Sequence, residues 1–531
     1  MELDPATRTP RTPWLEVALA ALPAALHALV LMGRLHPDEV FQSLEIALHR
    51  TYGFGIVPWE WFAPPQVPAD RPWGIRNWAV PLVFSTFLKM GDAFGITSPM
   101  ARRVLLEVPQ FALHVAMLGA VWRLTFRRVG VKGARAAMWL VALYGPLVWF
   151  GGRTMSESFS TAFLVWGLER LDSRGAKPAW WLLGGVLLGL AQVTRYGSAA
   201  AIVPAMVWLL LERRWKTFAL ASAGGLVVAL GLGLLDKLMW GDWFHSLINY
   251  FQYNVTSGAA AQAFGAAPWW SYVPRMLLAP FAFIGLALSV RRDRTTRWAG
   301  LALLGFGVLS GVMLWQSARF ASLQVATPWL GVAALLALVW LLLRHDVEHP
   351  SLLIASAFGY LAILSATAHK EDRFVYPALI LLTVAGAPRF VKWVREGGAA
   401  VRAMGGVLAV GGVSFFLFPS PFDVQRKEQF QLIARNAPGT TGLVIMNEGM
   451  WGSPGFFYLG KNIPWCPCDF PHDQCFQIAA RDARFNRGLF WLNSTSEAEA
   501  ERGRQAEAAF VAAGFKVAER RGLATYFVRG E

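Results

Sequence analysis

Residues 14–42 read WLEVALAALPAALHALVLMGRLHPDEVFQ. From Trp14 to Met32 only Glu16 and His27 interrupt an apolar run. A helix of that length crosses the hydrocarbon of a bilayer, which takes about 20 residues. No small-residue cleavage site follows before Arg34 and His36, so the run reads as a retained membrane helix rather than a removed leader. Directly after it comes His36-Pro37-Asp38-Glu39. An apolar span therefore ends by delivering two adjacent carboxylates to a membrane surface.

The rest of the chain extends that reading. Of 531 residues, 55% are hydrophobic and 16% charged, and mean hydropathy is +0.40. A soluble chain carries about 25% charged residues, so much of this surface faces lipid. The 25 tryptophans suit the headgroup layer, where an apolar ring with one N–H is best placed. The net charge of +15 does not point to nucleic acid, because the cations sit in short loops between apolar stretches.

Roughly 13 stretches can span, some short or tilted. They lie near 14–32, 104–122, 136–150, 157–171, 179–193, 197–211, 217–235, 272–290, 298–315, 320–343, 351–368, 374–390 and 402–418. Alternate loops are basic: Arg123, Arg127, Arg128, Lys132 and Arg135; Arg170, Arg174 and Lys177; Arg213, Arg214 and Lys216; Arg291, Arg292, Arg294 and Arg297; Arg389, Lys392 and Arg395. Positive loops stay cytoplasmic, which puts the N-terminus inside. Loops 33–103, 151–156, 194–196, 236–271, 316–319 and 369–373 then lie outside, together with the tail. The expected architecture is an all-α polytopic membrane protein over 1–418, with large outer loops 33–103 and 236–271. A small α/β domain, 419–531, follows on the outer face, where apolar runs at Gly442–Met446 and Gly488–Leu492 alternate with a helical stretch near Ser496–Gly514.

Cys466, Cys468 and Cys475, with His472 among them, admit two readings: a metal site, or one disulfide and one free thiol outside the cell's reducing compartment. Neither places catalysis there.

The outer loops hold the candidate chemistry. Asp38, Gln42, Glu45 and His49 recur at helical spacing, with Val40, Phe41, Leu44 and Leu48 opposite, as in an amphipathic helix lying on the membrane. Two acids in a first turn after Pro37 also describe an ordinary helix start. Arg153, Arg195, Asn254, Trp269 and the run His369-Lys370-Glu371-Asp372-Arg373 fall in further outer loops. Each has a plain reading as a snorkelling cation or interfacial aromatic. Together they place acids, cations and aromatics on one face, the set that sugar transfer from a lipid phosphate requires.

At these residues the sequence resembles a known family. His36-Pro37-Asp38-Glu39-Val40-Phe41-Gln42, then Tyr52-Gly53-Phe54-Gly55 and Trp59-Glu60-Trp61, is similar to the opening signature of the family 22 glycosyltransferases. Arg153 to Ser158 resembles that family's Arg-Thr/Met-Ser-Asn segment, with Glu157 in place of Asn. Residues 236–270 resemble its second large lumenal loop, and His369 to Phe374 its His-Lys-Glu-x-Arg-Phe motif. The tail is more faintly similar to the GPI enzymes that add a third mannose. The resemblance implies a GT-C fold and transfer of mannose, with inversion, from a dolichyl- or polyprenyl-phosphate carrier to a glycan acceptor outside the membrane. It implies no metal and no cofactor. It implies Asp38 as general base with Glu39 as alternative, and His369, Lys370 and Arg373 on the leaving phosphate. His36, Gln42, Arg153, Arg195, Asn254 and Trp269 would be substrate contacts. An Ala-, Gly-, Arg- and Trp-rich composition fits a bacterial inner membrane and a polyprenyl carrier; a eukaryotic chain would sit in the endoplasmic reticulum. A lipid or solute transporter and a non-catalytic scaffold are the competing readings. The first would want broken helices, mid-membrane charges and repeated halves.

Overall fold

The computed structural model describes residues 11–30, 36–66, 72–173, 176–272, 351–417 and 421–530. The spans expected at 272–290, 298–315 and 320–343, and the loop 316–319, lie outside the described residues apart from the first residue of that range, Tyr272.

The membrane part is helical. It comprises α1 (Trp14–Val30), α2 (Glu45–Tyr52), α3 (Ala79–Ala93), α4 (Pro99–Ala142), α5 (Gly145–Gly151), α6 (Ser156–Asp172), α7 (Pro178–Thr194), α8 (Ala199–Leu211) and α9 (Trp215–Trp240). Later helices cover Ser351–Ala366, Tyr376–Glu396 and Ala399–Leu417. Among the described residues, three helical runs are long and apolar enough to cross a membrane: Pro99–Ala142, Trp215–Trp240 and Asp372–Glu396. Their surroundings differ. Leu226, Val227, Leu230, Leu234 and Leu238 of α9 are exposed, as a lipid-facing helix requires, whereas residues 376–388 of the late helix are all buried. Helix α6 carries Glu157, Glu169 and Arg170 and is buried nearly throughout, an interior helix shielded from lipid by α4, α7 and Tyr376–Glu396.

The basic loop expected at 123–135 is instead helical to Val129. The chain then breaks at Gly130 (φ 65°, ψ −177°), a conformation a side chain would oppose. The second arm returns alongside, through α5, to Arg153. Glu16 at the start of α1 fixes it by accepting from Arg135 at 2.9 Å and Trp139 at 3.1 Å.

Beyond Pro421 lies a five-stranded sheet in the order β2-β1-β3-β5-β4, with β1 Leu443–Met446, β2 Trp465–Cys468, β3 Arg487–Trp491, β4 Phe515–Arg521 and β5 Ala524–Arg529. β1 pairs parallel with β2 and β3; β5 pairs antiparallel with β3 and β4. β1 and β3 are buried on both faces, as central parallel strands are. Cys466 and Cys475 form a disulfide and Cys468 is a buried free thiol; His472 stacks on Phe470.

This sheet region grips the membrane part through α2. Phe430, Ala434, Phe457 and Tyr458 share one apolar cluster with Val40, Phe41, Leu44 and Leu48. At its edge the fully buried Glu45 accepts from the amides of Ile56 (2.7 Å) and Phe457 (2.6 Å). Burial pushes the Glu45 carboxyl up to about 7, against the pull of those amides. A raised carboxyl favours the protonated form in the folded chain, so its contribution to stability is lost as pH rises from about 4.5 through about 7. Over that interval wild type should lose about 3 kcal/mol relative to Glu45→Gln, which cannot ionise. Denaturation of both proteins in detergent across that range checks this; parallel pH profiles would show that burial leaves the Glu45 carboxyl at its ordinary value.

Candidate active site

The segment after α1 is not a plain amphipathic helix on the bilayer. Glu39–Leu44 form a π-helical turn that leads into α2, and both faces are covered: Val40, Phe41, Leu44, Glu45, Ile46 and Leu48 are all buried. A π turn inserts one extra residue, so it rotates the helix downstream of it. Asp38 and Gln42 face one side, while Glu45 swings inward to the sheet region.

The two adjacent acids diverge. The Asp38 side chain keeps 22% of its exposure and Glu39 only 3%. Glu39 lies between Arg153 (3.4 Å) and Arg103 (3.9 Å), and Arg103 also donates to Glu107 at 2.8 Å. Arg153, expected as a substrate contact, is 1% exposed. Its charge is directed at Glu39, and the neighbouring Thr154 hydroxyl donates to the Glu39 carbonyl at 3.2 Å. It braces the Asp38 turn from beneath, through Glu39.

Asp38 meets the far end of the sequence. Arg373 donates to its Oδ2 at 2.6 Å, and His36 Nδ1 lies 3.2 Å from its Oδ1. Arg373 also forks onto Glu371, at 2.7 and 3.2 Å, and stands 3.5 Å from Glu157. Glu157, fully buried, pairs with Arg195 at 2.9 Å, and Ser156 joins them by accepting from Arg195 and donating to Glu157. His36 Nε2 reaches Glu371 at 3.3 Å and His369 Nε2 reaches it at 3.0 Å. On the other side Gln42 donates to Glu60 at 2.6 Å, and Arg76 pairs with Glu60 at 3.2 Å. A narrow cleft, open to solvent, runs past Gln42, Trp61, Arg76, Ser156, Arg195 and Tyr196.

The charges set the protonation states. Burial pushes the Asp38 carboxyl up, but Arg373, the His36 contact and Arg76 outweigh it and hold it well below the usual carboxylate range. Glu371 is lowered in the same way, burial being overcome by Arg373, His36 and His369. Glu60 is raised by burial and by the negative charge of Asp38, which Arg76 only partly offsets.

Besides Arg153, four expected residues are placed differently from the rest. Lys370 turns away, its Nζ donating to the Ala267 and Thr367 carbonyls, where it ties the loop after Phe264 to the 369–373 turn. His369 makes the same tie through Gly265 while also contacting Glu371. Asn254 donates to the Tyr250 carbonyl one turn back rather than into the cleft. Trp269 starts a single 3-10 turn, Trp269–Tyr272, and its ring falls outside the described residues. Glu60, Arg76, Glu157 and Glu371 were not singled out from sequence. Glu371 lay inside the motif that gave Arg373, and Glu157 stood at the position where the resemblance breaks. A buried acid in a lipid-shielded helix start was the available signal. Arg76 had none.

Residues 14–424 match the model of the Alg9-like mannosyltransferase family. The chain belongs to that family. Among curated proteins it is 26% identical to mannosyltransferase APTG1 of Arabidopsis thaliana, over 56% of this chain and 52% of that one. It is 23% identical to GPI mannosyltransferase 3 of Yarrowia lipolytica, over 70% and 61%. The chain thus spans about half to three-fifths of the length of these relatives. Among solved structures, ArnT from Cupriavidus metallidurans bound to undecaprenyl phosphate superposes with a TM-score of 0.54 at 12% identity, covering 97% of this chain and 98% of that one. The likeness is one of fold, that of the GT-C membrane glycosyltransferases. Membership of the mannosyltransferase family does not favour the transporter reading.

Glu157 keeps Arg195 and Arg373 together. Removing one partner of a buried ion pair costs about 3–5 kcal/mol, because the remaining charge is stranded. Glu157→Gln should therefore lower the unfolding midpoint in detergent clearly, whereas Glu371→Gln, at a 26% exposed side chain, should lower it less. Equal midpoints for Glu157→Gln and wild type would show that the two arginines do not need the acid.

Proposed function

We propose that this member of the Alg9-like family is an inverting glycosyltransferase. It moves mannose, or a related sugar, from a polyprenyl- or dolichyl-phosphate carrier to a glycan acceptor at the outer face, with the N-terminus cytoplasmic. Family membership and the ArnT-like fold support the class of reaction. The observation that carries the mechanism is the 2.6 Å contact of Arg373 with Asp38, the partly exposed acid, while Glu39 is buried against other arginines.

In the resting site Arg373 suppresses the basicity of Asp38. When donor binds, its phosphate takes over an Arg373 N–H, and Asp38 is freed to accept the proton of the acceptor hydroxyl. The acceptor oxygen bonds to the anomeric carbon as the carbon–oxygen bond to phosphate breaks. The bonding pair leaves with the phosphate, which Arg373 stabilises with Arg195 and Arg76 at the cleft wall. A β-linked donor gives an α-mannoside. Gln42 and Trp61 line the cleft where the sugar or acceptor ring would rest.

The test begins with the purified chain and a panel of lipid-phosphate sugars and acceptors. With a productive pair, Asp38→Asn should remain folded but transfer about 10²–10⁴-fold more slowly, the range for a lost general base. Glu39→Gln should act mainly on stability. Loss of a charge-assisted contact makes Arg373→Ala roughly ten- to hundred-fold poorer in donor use. If Asp38→Asn transfers at the wild-type rate, Asp38 is not the base; no transfer with any panel member would favour a non-catalytic scaffold. Reporters at Glu531 and within 123–135 should label from opposite sides.

A further inference from the structure

We propose that the end of the helical bundle opposite Asp38 holds the headgroup of an anionic phospholipid in a cage of four arginines. Three of them, Arg123, Arg127 and Arg170, converge on one carboxylate, Glu169, at 3.1, 3.2 and 3.4 Å. Arg128 pairs with Asp172 at 3.0 Å, where Arg127 also reaches at 3.9 Å. Four guanidinium groups thus share two carboxylates, a surplus of two positive charges. Glu169 is 2% exposed, and the Nε–H groups of Arg123 and Arg127 are buried without an acceptor among the described residues. Half-buried cations in excess, with two buried donors unmet, call for a further anion rich in acceptor oxygens.

Depth and surroundings identify that anion. Arg103 beside the Asp38 turn and Arg123 lie on the same uninterrupted arm of α4, twenty residues apart by number, which is about 30 Å of helix. That is the thickness of the hydrocarbon layer, so the cage sits in the other headgroup region. Arg170 stacks on Trp180 at 4.2 Å, an aromatic at the level where tryptophans anchor helices. Trp180 itself, and Trp215 at the start of α9, are exposed and offer apolar surface for acyl chains. A phosphate with a hydrocarbon tail matches both parts; free phosphate matches only the first. Basic pockets between membrane helices are known to select acidic headgroups on this physical ground. The site is remote from Asp38 and does not rest on the proposed reaction.

The test titrates the full chain in neutral detergent with short-chain phosphatidylglycerol, phosphatidylcholine of the same chain length, and inorganic phosphate, reading the unfolding midpoint and, by native mass spectrometry, bound lipid. Phosphatidylglycerol should raise the midpoint saturably and the other two should not. Arg127→Gln combined with Arg170→Gln leaves each carboxylate one arginine and removes the surplus. It should weaken phosphatidylglycerol binding roughly thirtyfold, at about fivefold per cation. Asp172→Asn increases the surplus and should tighten binding about fivefold. Equal stabilisation by phosphatidylcholine, or by inorganic phosphate alone, would overturn the lipid assignment. So would a wild-type titration in the double variant. Should that variant not fold, an Asp172→Asn protein that binds no more tightly than wild type overturns it equally.

Discussion

Arg373 is the point on which the site hangs. Its guanidinium joins Asp38, 335 positions earlier, to Glu157 at the start of an interior helix and to Glu371 two residues away. A lone buried cation would be too costly to desolvate; three carboxylates around a five-donor fork satisfy it. Because the partners come from three separate stretches, the ion pairs fix the relative position of the chain after α1, the start of α6 and the turn before Tyr376. None of these can shift without stranding charge in a shielded place.

The Asp38 turn is braced from two other directions. Beneath it, Glu39 is held by Arg153 and Arg103, which points one acid inward and leaves the other at the opening. Behind it, the sheet region packs Phe457 and Tyr458 on α2, and Trp451 stands edge-on to Phe41 at 5.0 Å. The region beyond Pro421 therefore contributes to the rigidity of the π turn and helix that follow the proposed base, through apolar packing and the Phe457 amide on Glu45. The π turn at Glu39–Leu44 is what lets one short helix serve both sides. It separates the direction of Asp38 from that of Glu45 by more than α-helical spacing allows.

Several of the helices were legible because apolar length reports directly on lipid contact and burial. α1, α7, α8, α9 and the helix Tyr376–Glu396 fall close to the stretches read from hydropathy. What hydropathy missed was burial within the bundle. It could not show that Arg153 faces inward, because a cation at a span edge looks the same whether it snorkels to water or meets a buried acid. Regular 3.6-residue spacing put Asp38 and Glu45 on one face; the π turn, which has no simple sequence signature, moved them apart. Arg76 and Glu60 were unreadable as a pair for another reason. They lie sixteen residues apart, Glu60 in a single 3-10 turn and Arg76 outside any helix or strand, so no regular spacing relates them.

The resting pairing of Arg373 with Asp38 looks at first like an obstacle to the proposed reaction, since a carboxylate held so far below its ordinary range is a poor base. The charge balance turns it into a coupling. The donor carries a phosphodiester, with one negative charge, and the leaving phosphate gains a second as the bond to the sugar breaks. In the same step Asp38 gains a proton and loses its charge. Negative charge therefore moves from Asp38 to the phosphate while the total in the site stays constant, and Arg373 can follow it by exchanging one partner for the other. Glu157 and Glu371 hold the remaining face of the guanidinium meanwhile, so the exchange needs a small rotation rather than a rearrangement. An arginine tied only to Asp38 would have to leave its one partner before the phosphate could use it. One tied to three acids can give up a single contact and stay in place.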